Sequence, residues 1–370
     1  MALTADDHRF MARALRLARR GLYTTDPNPN VGCVLVNGAG EIVGEGWHQR
    51  AGQPHAEPLA IAAAGDRARG TTAYVTLEPC NHHGRTPPCA EALISAGVTR
   101  VVAATEDPNP TVSGRGYDKL REAGLQVEAG LLEEEAVELN IGYTRRMRTG
   151  RPWVRAKLAV SADGRTSLEN GRSQWITGAA SRADVHHWRA RSSAILTGSG
   201  TVLADDPSLN ARIPEAAEDE VLQPVKVVAD SHLAIPVNAR LLTTAGPVLV
   251  AHAAGEPEAA QALVTAGAEV MASINDGKGR VDLAALLDRL GERSINEVMV
   301  EAGPRLNGAL LEAGLIDEII MYQAASLLGS DARGMFTTTA LTRMDNRYNL
   351  QLRDIRRFGD DVRMIYRVTR

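Results

Sequence analysis

The chain has 370 residues, 44% apolar and 23% charged, with a formal net charge of −4. That length exceeds one ordinary core, so two domains are expected, and the acidic balance argues against a nucleic-acid partner. No run approaches the roughly 18 apolar residues of a membrane span, and residues 1–10 lack a basic segment followed by an apolar one, so neither a membrane partner nor a secretory signal is expected.

Thr4-Ala-Asp-Asp7 reads as a capping box opening an amphipathic helix over 4–21. Phe10, Met11, Ala14, Leu15, Leu17 and Ala18 lie largely on one face, and Gly21 is its stop. Strands over 31–36 and 42–47 flank the turn Asn37-Gly-Ala-Gly40 as a hairpin. Next come a helix over 54–64, a strand over 72–77, a helix over 88–96 and a strand over 100–105. Helices over 116–123 and 132–146 bracket a short strand at 125–128. A hairpin followed by alternating helices and strands implies a layered α/β domain. The stretch 142–153, with Arg145, Arg146, Arg148, Arg151 and Pro152, is basic and turn-rich and divides the chain into domains 1–147 and 148–370. Beyond it the pattern restarts. Strands are expected at 153–160, 194–197, 225–229, 248–251, 269–272, 297–300 and 318–322, with helices at 180–191, 258–266, 283–290 and 305–313 between several of them. Residues 350–355 and 362–368 read as an antiparallel pair, and the acidic stretch 214–224 as a solvated loop.

The strongest chemical signal lies in the first ninety residues, where His55-Ala-Glu57 is followed by Pro79-Cys80 and then Cys89. A histidine and two thiolates hold Zn²⁺ and leave a fourth position for a water whose pKa falls to near ~7. A glutamate two residues after the histidine is not a ligand; it carries protons between that water and a departing amine. One zinc per chain is therefore expected on His55, Cys80 and Cys89, with Glu57 catalytic. The third cysteine, Cys33, sits in an apolar strand, and so sparse a set fits metal ligation in a reducing cytoplasm better than a disulfide framework. A closed structural site needs a fourth protein ligand, which His82 or His83 offers, yet such a site has no use for Glu57. His55 and Glu57 fall in the first turn of one expected helix and Cys89 in that of another, where the positive dipole end favours thiolate. Eight residues separate the two cysteines, where the common nucleobase-deaminase signature has two.

That spacing, in Cys80-Asn-His-His-Gly-Arg-Thr-Pro-Pro-Cys89, resembles the zinc segment of the bifunctional riboflavin-biosynthesis deaminase–reductases, as do Asn28-Pro-Asn-Val-Gly-Cys33 and Gly52-Gln-Pro-His-Ala-Glu57. The resemblance continues in Lys157-Leu-Ala-Val-Ser-Ala-Asp-Gly-Arg165, Ser173-Gln-Trp-Ile-Thr177, Val202-Leu-Ala-Asp-Asp-Pro207 and Glu301-Ala-Gly-Pro304. Asn81 stands where the family usually has Ser. The family implies a cytidine-deaminase-like three-layer α/β domain followed by a dihydrofolate-reductase-like α/β domain. It also implies deamination of 2,5-diamino-6-(5-phosphoribosylamino)pyrimidin-4-one, then NADPH-dependent reduction of the ribosyl chain to ribityl. Asn28, His48 and the loop from His82 to Arg85 are placed by it to contact this small-molecule phosphoribosyl pyrimidine. A homodimer or higher homo-oligomer is the expected assembly.

In the second domain the usual dinucleotide fingerprint is absent, and Gly198-Ser-Gly200 is too short to replace it; tight turning explains it more simply. A strand ending at Val300, the turn Glu301-Ala-Gly303-Pro304 and a following helix read either as an ordinary strand–helix turn, where Gly-Pro is common, or as a turn whose backbone N–H groups suit pyrophosphate. The resemblance places Ala159, Trp175, Thr201, Asp205, Ser231 and the run Gly303, Pro304, Arg305, Leu306, Asn307, Gly308 and Ala309 around NADPH. It places Ser173, Arg189, Leu209, Arg212 and Glu301 against substrate. Arginines suit a phosphate monoester, and Lys157, a charge within a mostly apolar strand, is expected in a pocket facing ribose.

Two other functions stay open on these residues. One is a deaminase of a free nucleoside, nucleotide or tRNA base whose second domain only binds ligand. The other is a non-catalytic, zinc-stabilised binding protein. The long loop between the cysteines opposes the first, and Glu57 opposes the second.

Overall fold

The first helix, α1 (Ala5–Ala18), begins as its capping box dictates: Thr4 Oγ1 accepts from the Asp7 N–H at 3.2 Å, and Asp7 Oδ2 accepts from the Thr4 N–H at 2.7 Å. Residues 19–21 continue as a short 3₁₀ turn. The computed structural model describes residues 3–81, 88–110, 112–214, 216, 220–272 and 275–369, which form two units, Met1–Gly150 and Arg151–Arg370.

In the first unit α1 is followed by β1 (Gly32–Val36), β2 (Ile42–Trp47), α2 (Ala56–Ala64), β3 (Thr72–Val75) and α3 (Cys89–Ser95). Then come β4 (Arg100–Ala103), α4 (Arg115–Glu122), β5 (Gln126–Ala129), α5 (Glu133–Leu139) and α6 (Ile141–Thr149). The sheet order is β2-β1-β3-β4-β5, with β1 antiparallel to both neighbours and β3, β4 and β5 parallel. Every residue of β1 is buried because helices cover both faces. Val34 and Val36 pack with Leu15 and Leu139, whereas Cys33 and Leu35 pack with Ala60, Leu93 and Leu120. This is the expected three-layer arrangement. Side chains at Gly44 and Gly46 would meet the Ala60 and Ala56 carbonyls, so two glycines let α2 lie directly on β2.

Two expectations fail here. The single helix over 132–146 is two helices, because Asn140 leaves helical geometry (φ −113°) to pair with Asn30. Its Oδ1 accepts from the Asn30 N–H at 2.7 Å and its Nδ2 donates to the Asn30 carbonyl at 2.9 Å. The segment around 142–153 is not turn-rich, since α6 runs to Thr149 and is capped by left-handed Gly150, but the units do divide within it, between Gly150 and Arg151.

The second unit holds β6 (Trp153–Val160), β7 (Arg165–Ser167), α7 (Ala179–Arg191), β8 (Ala194–Gly198), α8 (Ser199–Asp205), β9 (Val225–Ala229), α9 (Arg240–Thr243) and β10 (Val248–His252). They are followed by α10 (Pro257–Thr265), β11 (Glu269–Ala272), α11 (Leu283–Glu292), β12 (Glu297–Val300), α12 (Pro304–Glu312), β13 (Glu318–Gln323), β14 (Arg333–Gly334), β15 (Asn349–Phe358) and β16 (Asp361–Thr369). One sheet has the order β11-β10-β9-β8-β12-β6-β13-β16-β15, parallel up to β13 and antiparallel beyond it. From β8 the chain steps outward through β9, β10 and β11, then returns to insert β12 between β8 and β6. The carboxyl ends of β8 and β12 therefore flank a topological switch point, where ligands bind in open α/β sheets. Within this unit Arg155, 1% exposed, is held between Glu297 and Glu318. The two-stranded ladder β7–β14 has no counterpart among the expected elements.

Candidate active sites

His55 is the N-cap of α2 rather than part of its first turn, and Glu57 lies just inside the helix. Cys89 opens α3, and Cys80 follows β3. These placements bring one ligand atom each from His55, Cys80 and Cys89 within 4.8 Å of one another. His55 Nδ1 is 3.3 Å from Cys89 Sγ and 3.7 Å from Cys80 Sγ. A tetrahedral zinc with ordinary bond lengths sets nitrogen and sulfur ligands about 3.6 Å apart, so the donor set fits the ion. Cys80 Sγ also accepts from the Cys89 N–H at 3.4 Å. The Cys80 thiol is held well below the usual range, first by its hydrogen bond with the Cys89 thiol and then by His55.

Glu57 is 3% exposed, and among the described residues its Oε2 has no hydrogen-bond partner. Burial, then the neighbouring Cys80 charge, pushes its carboxyl up to about 7. A buried carboxyl with a free oxygen beside a three-ligand cluster is equipped to exchange protons with something held there. Asn28 and His48 pair beside His55. The Asn28 amide donates to His48 Nε2 at 3.0 Å, and His48 Nδ1 donates to the Pro54 carbonyl at 3.1 Å, fixing a neutral tautomer. Burial keeps that imidazole's pKa low, and its ring meets His55 edge-on at 5.3 Å. His82, His83 and Arg85 lie outside the described residues. Sequence reasoning missed Glu78, which accepts from the N–H groups of Asp107, Gly114 and Gly116 and so fixes the turn carrying Pro79-Cys80. A side chain at Gly116 would strike the Pro79 carbonyl, which explains that glycine.

The second unit contains a cleft of about 1860 Å³ at the switch point. Ala159, Trp175, Thr201, Asp205, Ser231, Gly303, Pro304, Arg305, Leu306 and Ala309 line it, as do Lys157, Ser173, Arg189, Leu209, Arg212 and Glu301. Asn307 and Gly308 do not. The Asn307 amide is buried and donates to the Ala302 carbonyl, and Gly308 is packed on the Thr337 backbone, so both face the protein. Gly198, Ser199 and Gly200, read above as a tight turn, also line the cleft. Gly303 caps α12 without a side-chain hydrogen bond, and a Cβ there would meet nothing within 4 Å. The N–H groups that follow Pro304 in the first turn of α12, uncapped by a Gly303 side chain, fit a dinucleotide pyrophosphate.

Glu301 anchors the opposite wall. Arg189 donates to its two oxygens at 2.6 and 3.0 Å, and Lys157 Nζ lies 3.0 Å from Oε2. Burial would raise the Glu301 pKa, but Arg189 and Lys157 overrule it and hold the carboxylate ionised. Arg212 is exposed and donates to Asn210 Oδ1 at 2.7 Å. Lys157 thus faces the cleft rather than open solvent.

Residues 4–105 match the family model for the cytidine and deoxycytidylate deaminase zinc-binding region, and residues 152–364 match that for the RibD C-terminal domain. Riboflavin biosynthesis protein RibD of Escherichia coli (strain K12) is 50% identical over 368 residues, covering 96% of this chain and 98% of the relative. The chain belongs to the RibD family. It carries that family's zinc-binding deaminase domain and its NADPH-dependent reductase domain, as a bifunctional enzyme of riboflavin biosynthesis. RibD of Haemophilus influenzae is 47% identical, covering 99% of this chain and 98% of the relative. The solved Acinetobacter baumannii RibD superimposes with a TM-score of 0.91 at 44% identity, covering 99% of both chains. A structure from Thermotoga maritima, described as a diaminohydroxyphosphoribosylaminopyrimidine deaminase/5-amino-6-(5-phosphoribosylamino)uracil reductase, gives 0.85 at 32% identity, covering 98% of this chain and 99% of the other. No helix among the described residues is long and apolar enough to cross a membrane.

Proposed function

We propose that the first unit removes the 2-amino group of 2,5-diamino-6-(5-phosphoribosylamino)pyrimidin-4-one, and that the second reduces the ribosyl chain of the resulting aminouracil to ribityl. The buried Oε2 of Glu57, without a hydrogen-bond partner among the described residues and beside His55, Cys80 and Cys89, carries the first half of this reading. Zinc on those three ligands supplies the Lewis acidity that makes water a nucleophile near neutral pH. Glu57 does the proton work. With a carboxyl near neutrality, Oε2 takes a proton from the attacking water and returns it to the amine that leaves as ammonia. Asn28 and the neutral His48 hold the pyrimidine against this carboxyl.

In the second unit the α12 N-terminus at Gly303 receives the NADPH pyrophosphate, and Thr201, Asp205 and Ser231 lie along the rest of the cofactor. Trp175, 71% exposed within the cleft, offers a face to its nicotinamide end. Lys157 and Glu301 face the ribose, and Arg212 takes the phosphate. Arg189 serves chiefly to orient Glu301, because that carboxylate already occupies two of its nitrogens. Glu57→Gln tests the assignment: the variant should keep its zinc and lose ammonia release, and full turnover by it would defeat the reading.

We further propose a cytoplasmic homodimer. Three free cysteines suit a reducing compartment. Leu350, Leu352 and Ile355 are 46, 51 and 60% exposed on β15. They pair with Val368, Tyr366 and Met364 of β16, and the bulge between Leu352 and Asp354 keeps all six on one face. The three exposed β15 side chains extend a face whose Tyr366 and Val368 pack on the core, and such an exposed apolar strip on a sheet edge suits a second copy of the chain. Light scattering should find Leu352→Asp shifted from dimer to monomer; an unaltered mass would remove this face from the assembly.

A further inference from the structure

We infer that His186 is a binding residue for the substrate's phosphate, donating Nε2–H to an oxygen that Arg212 also grips. This rests on the phosphoribosyl reading of the second-unit cleft. His186 and Arg189 lie three residues apart on α7, so both side chains leave the same side of that helix, and both line the cleft. Arg212 approaches His186 twice: its backbone N–H lies 3.2 Å from Nδ1, and its Nη2 lies 3.0 Å from Nε2.

Those two contacts cannot both be hydrogen bonds. A guanidinium keeps its protons, and a neutral imidazole has one bare nitrogen. Burial, followed by the positive charges of Arg189 and Arg212, holds His186 neutral at about 4, against the weaker pull of Glu301 and the Asn210 carbonyl. An imidazole N–H has the Asn210 carbonyl as an acceptor, so with the proton on Nδ1 the Nε2 lone pair accepts from Arg212, whereas with the proton on Nε2 that N–H faces the guanidinium. An anion arriving from the cleft, which both residues line, favours the second arrangement. With the proton on Nε2, Nδ1 accepts from the Arg212 backbone. Imidazole and guanidinium then form a pair of donors lacking only an acceptor between them. A phosphate oxygen supplies that acceptor, in the charge-assisted geometry expected of such groups. Asn210 steadies the pair, since its Oδ1 holds Arg212 at 2.7 Å while its carbonyl accepts from Arg189 at 3.1 Å.

The test compares kcat/KM for the phosphorylated aminouracil with that for its dephosphorylated counterpart in the full-length enzyme. The inhibition constant of inorganic phosphate serves as a second readout. His186→Leu should lower the ratio about tenfold and weaken inhibition by phosphate similarly, the loss expected for one hydrogen bond to a charged group. His186→Gln should recover most of it, because its amide nitrogen reaches the Nε2 position. Should the leucine variant fail to fold, His186→Asn removes the same donor with a shorter polar side chain. A ratio within twofold of the unaltered enzyme in His186→Leu or His186→Asn, while Arg212→Ala loses it, would overturn the role of His186 and leave the phosphoribosyl reading standing. Equal losses in His186→Leu and His186→Gln would also overturn it. If Arg212→Ala keeps the ratio too, the phosphoribosyl reading itself fails.

Discussion

Arg189 holds Glu301 through two nitrogens, Nε to Oε1 at 2.6 Å and Nη2 to Oε2 at 3.0 Å, and this bidentate pair joins α7 to the turn after β12. The two residues line one cleft although 112 positions separate them. Glu301 is thereby oriented, and Arg212 is left as the more available cation for an incoming anion.

Arg212→Ala should raise the KM for the phosphorylated substrate by about tenfold or more, in keeping with loss of a charged hydrogen bond. NADPH affinity should change little. Gly303→Val should show the reverse. Its Cβ would meet no described atom within 4 Å, so the substitution is expected to fold, but it projects into the space proposed for the dinucleotide. Fluorescence titration with NADPH and steady-state kinetics separate the two effects. Normal NADPH binding by Gly303→Val, with loss in Arg212→Ala, would reverse the subsites.

The deaminase site should bind about one zinc per chain, as one three-ligand cluster requires. Cys89→Ser should lose most of it, since the substitution removes one of the three ligand atoms while leaving the backbone N–H that donates to Cys80. Metal analysis of purified protein checks this; active enzyme without zinc would contradict the site.

Reduction should be independent of Glu57, because every residue lining the reductase cleft belongs to Arg151–Arg370. Glu57→Gln, given preformed ribosylaminouracil and NADPH, should reduce it at the unaltered rate. Equal loss of both activities in a folded, zinc-loaded variant would point to a shared site.

Acid should destabilise the second unit through Glu297. Burial alone would raise that carboxyl, but Arg155 and Arg191 hold it at about 2, against 4.5 when free. The sign follows: a lowered folded-state pKa gives stability that is complete above about 4.5 and is lost as pH falls toward 2, amounting to about 3 kcal/mol. Glu297→Gln should therefore be less stable at neutral pH and flatter between pH 5 and 3. Urea unfolding followed by tryptophan fluorescence, with Trp153 and Trp188 near this cluster, measures both. An unchanged pH slope in the variant would show that Glu297 is not the linked group.

Elements governed by neighbours in sequence were legible in the chain. The Thr4–Asp7 capping box, the hairpin, β6 and β8 through β13 follow from local caps and hydrophobic period, and the zinc residues announce themselves by short spacings. What escaped depends on partners far along the chain. Asn140 breaks a helix because Asn30, 110 positions away, claims its amide. Glu78 and Gly116 are unremarkable until they meet beneath Pro79. Gly198–Gly200 lacks a fingerprint, yet the switch point places it in the cleft, while Asn307 and Gly308, within a stretch that reads as cofactor-binding, turn inward.

The most direct measurement incubates the purified protein with 2,5-diamino-6-(5-phosphoribosylamino)pyrimidin-4-one and follows ammonia and NADPH together. Without NADPH, ammonia should appear in step with the ribosylaminouracil and the reaction should stop there. With NADPH, one further equivalent should be oxidised per molecule and the ribityl product should form. Oxidation of NADPH before any ammonia is released, or ammonia release with no reduction to follow, would contradict the assignment of the two units.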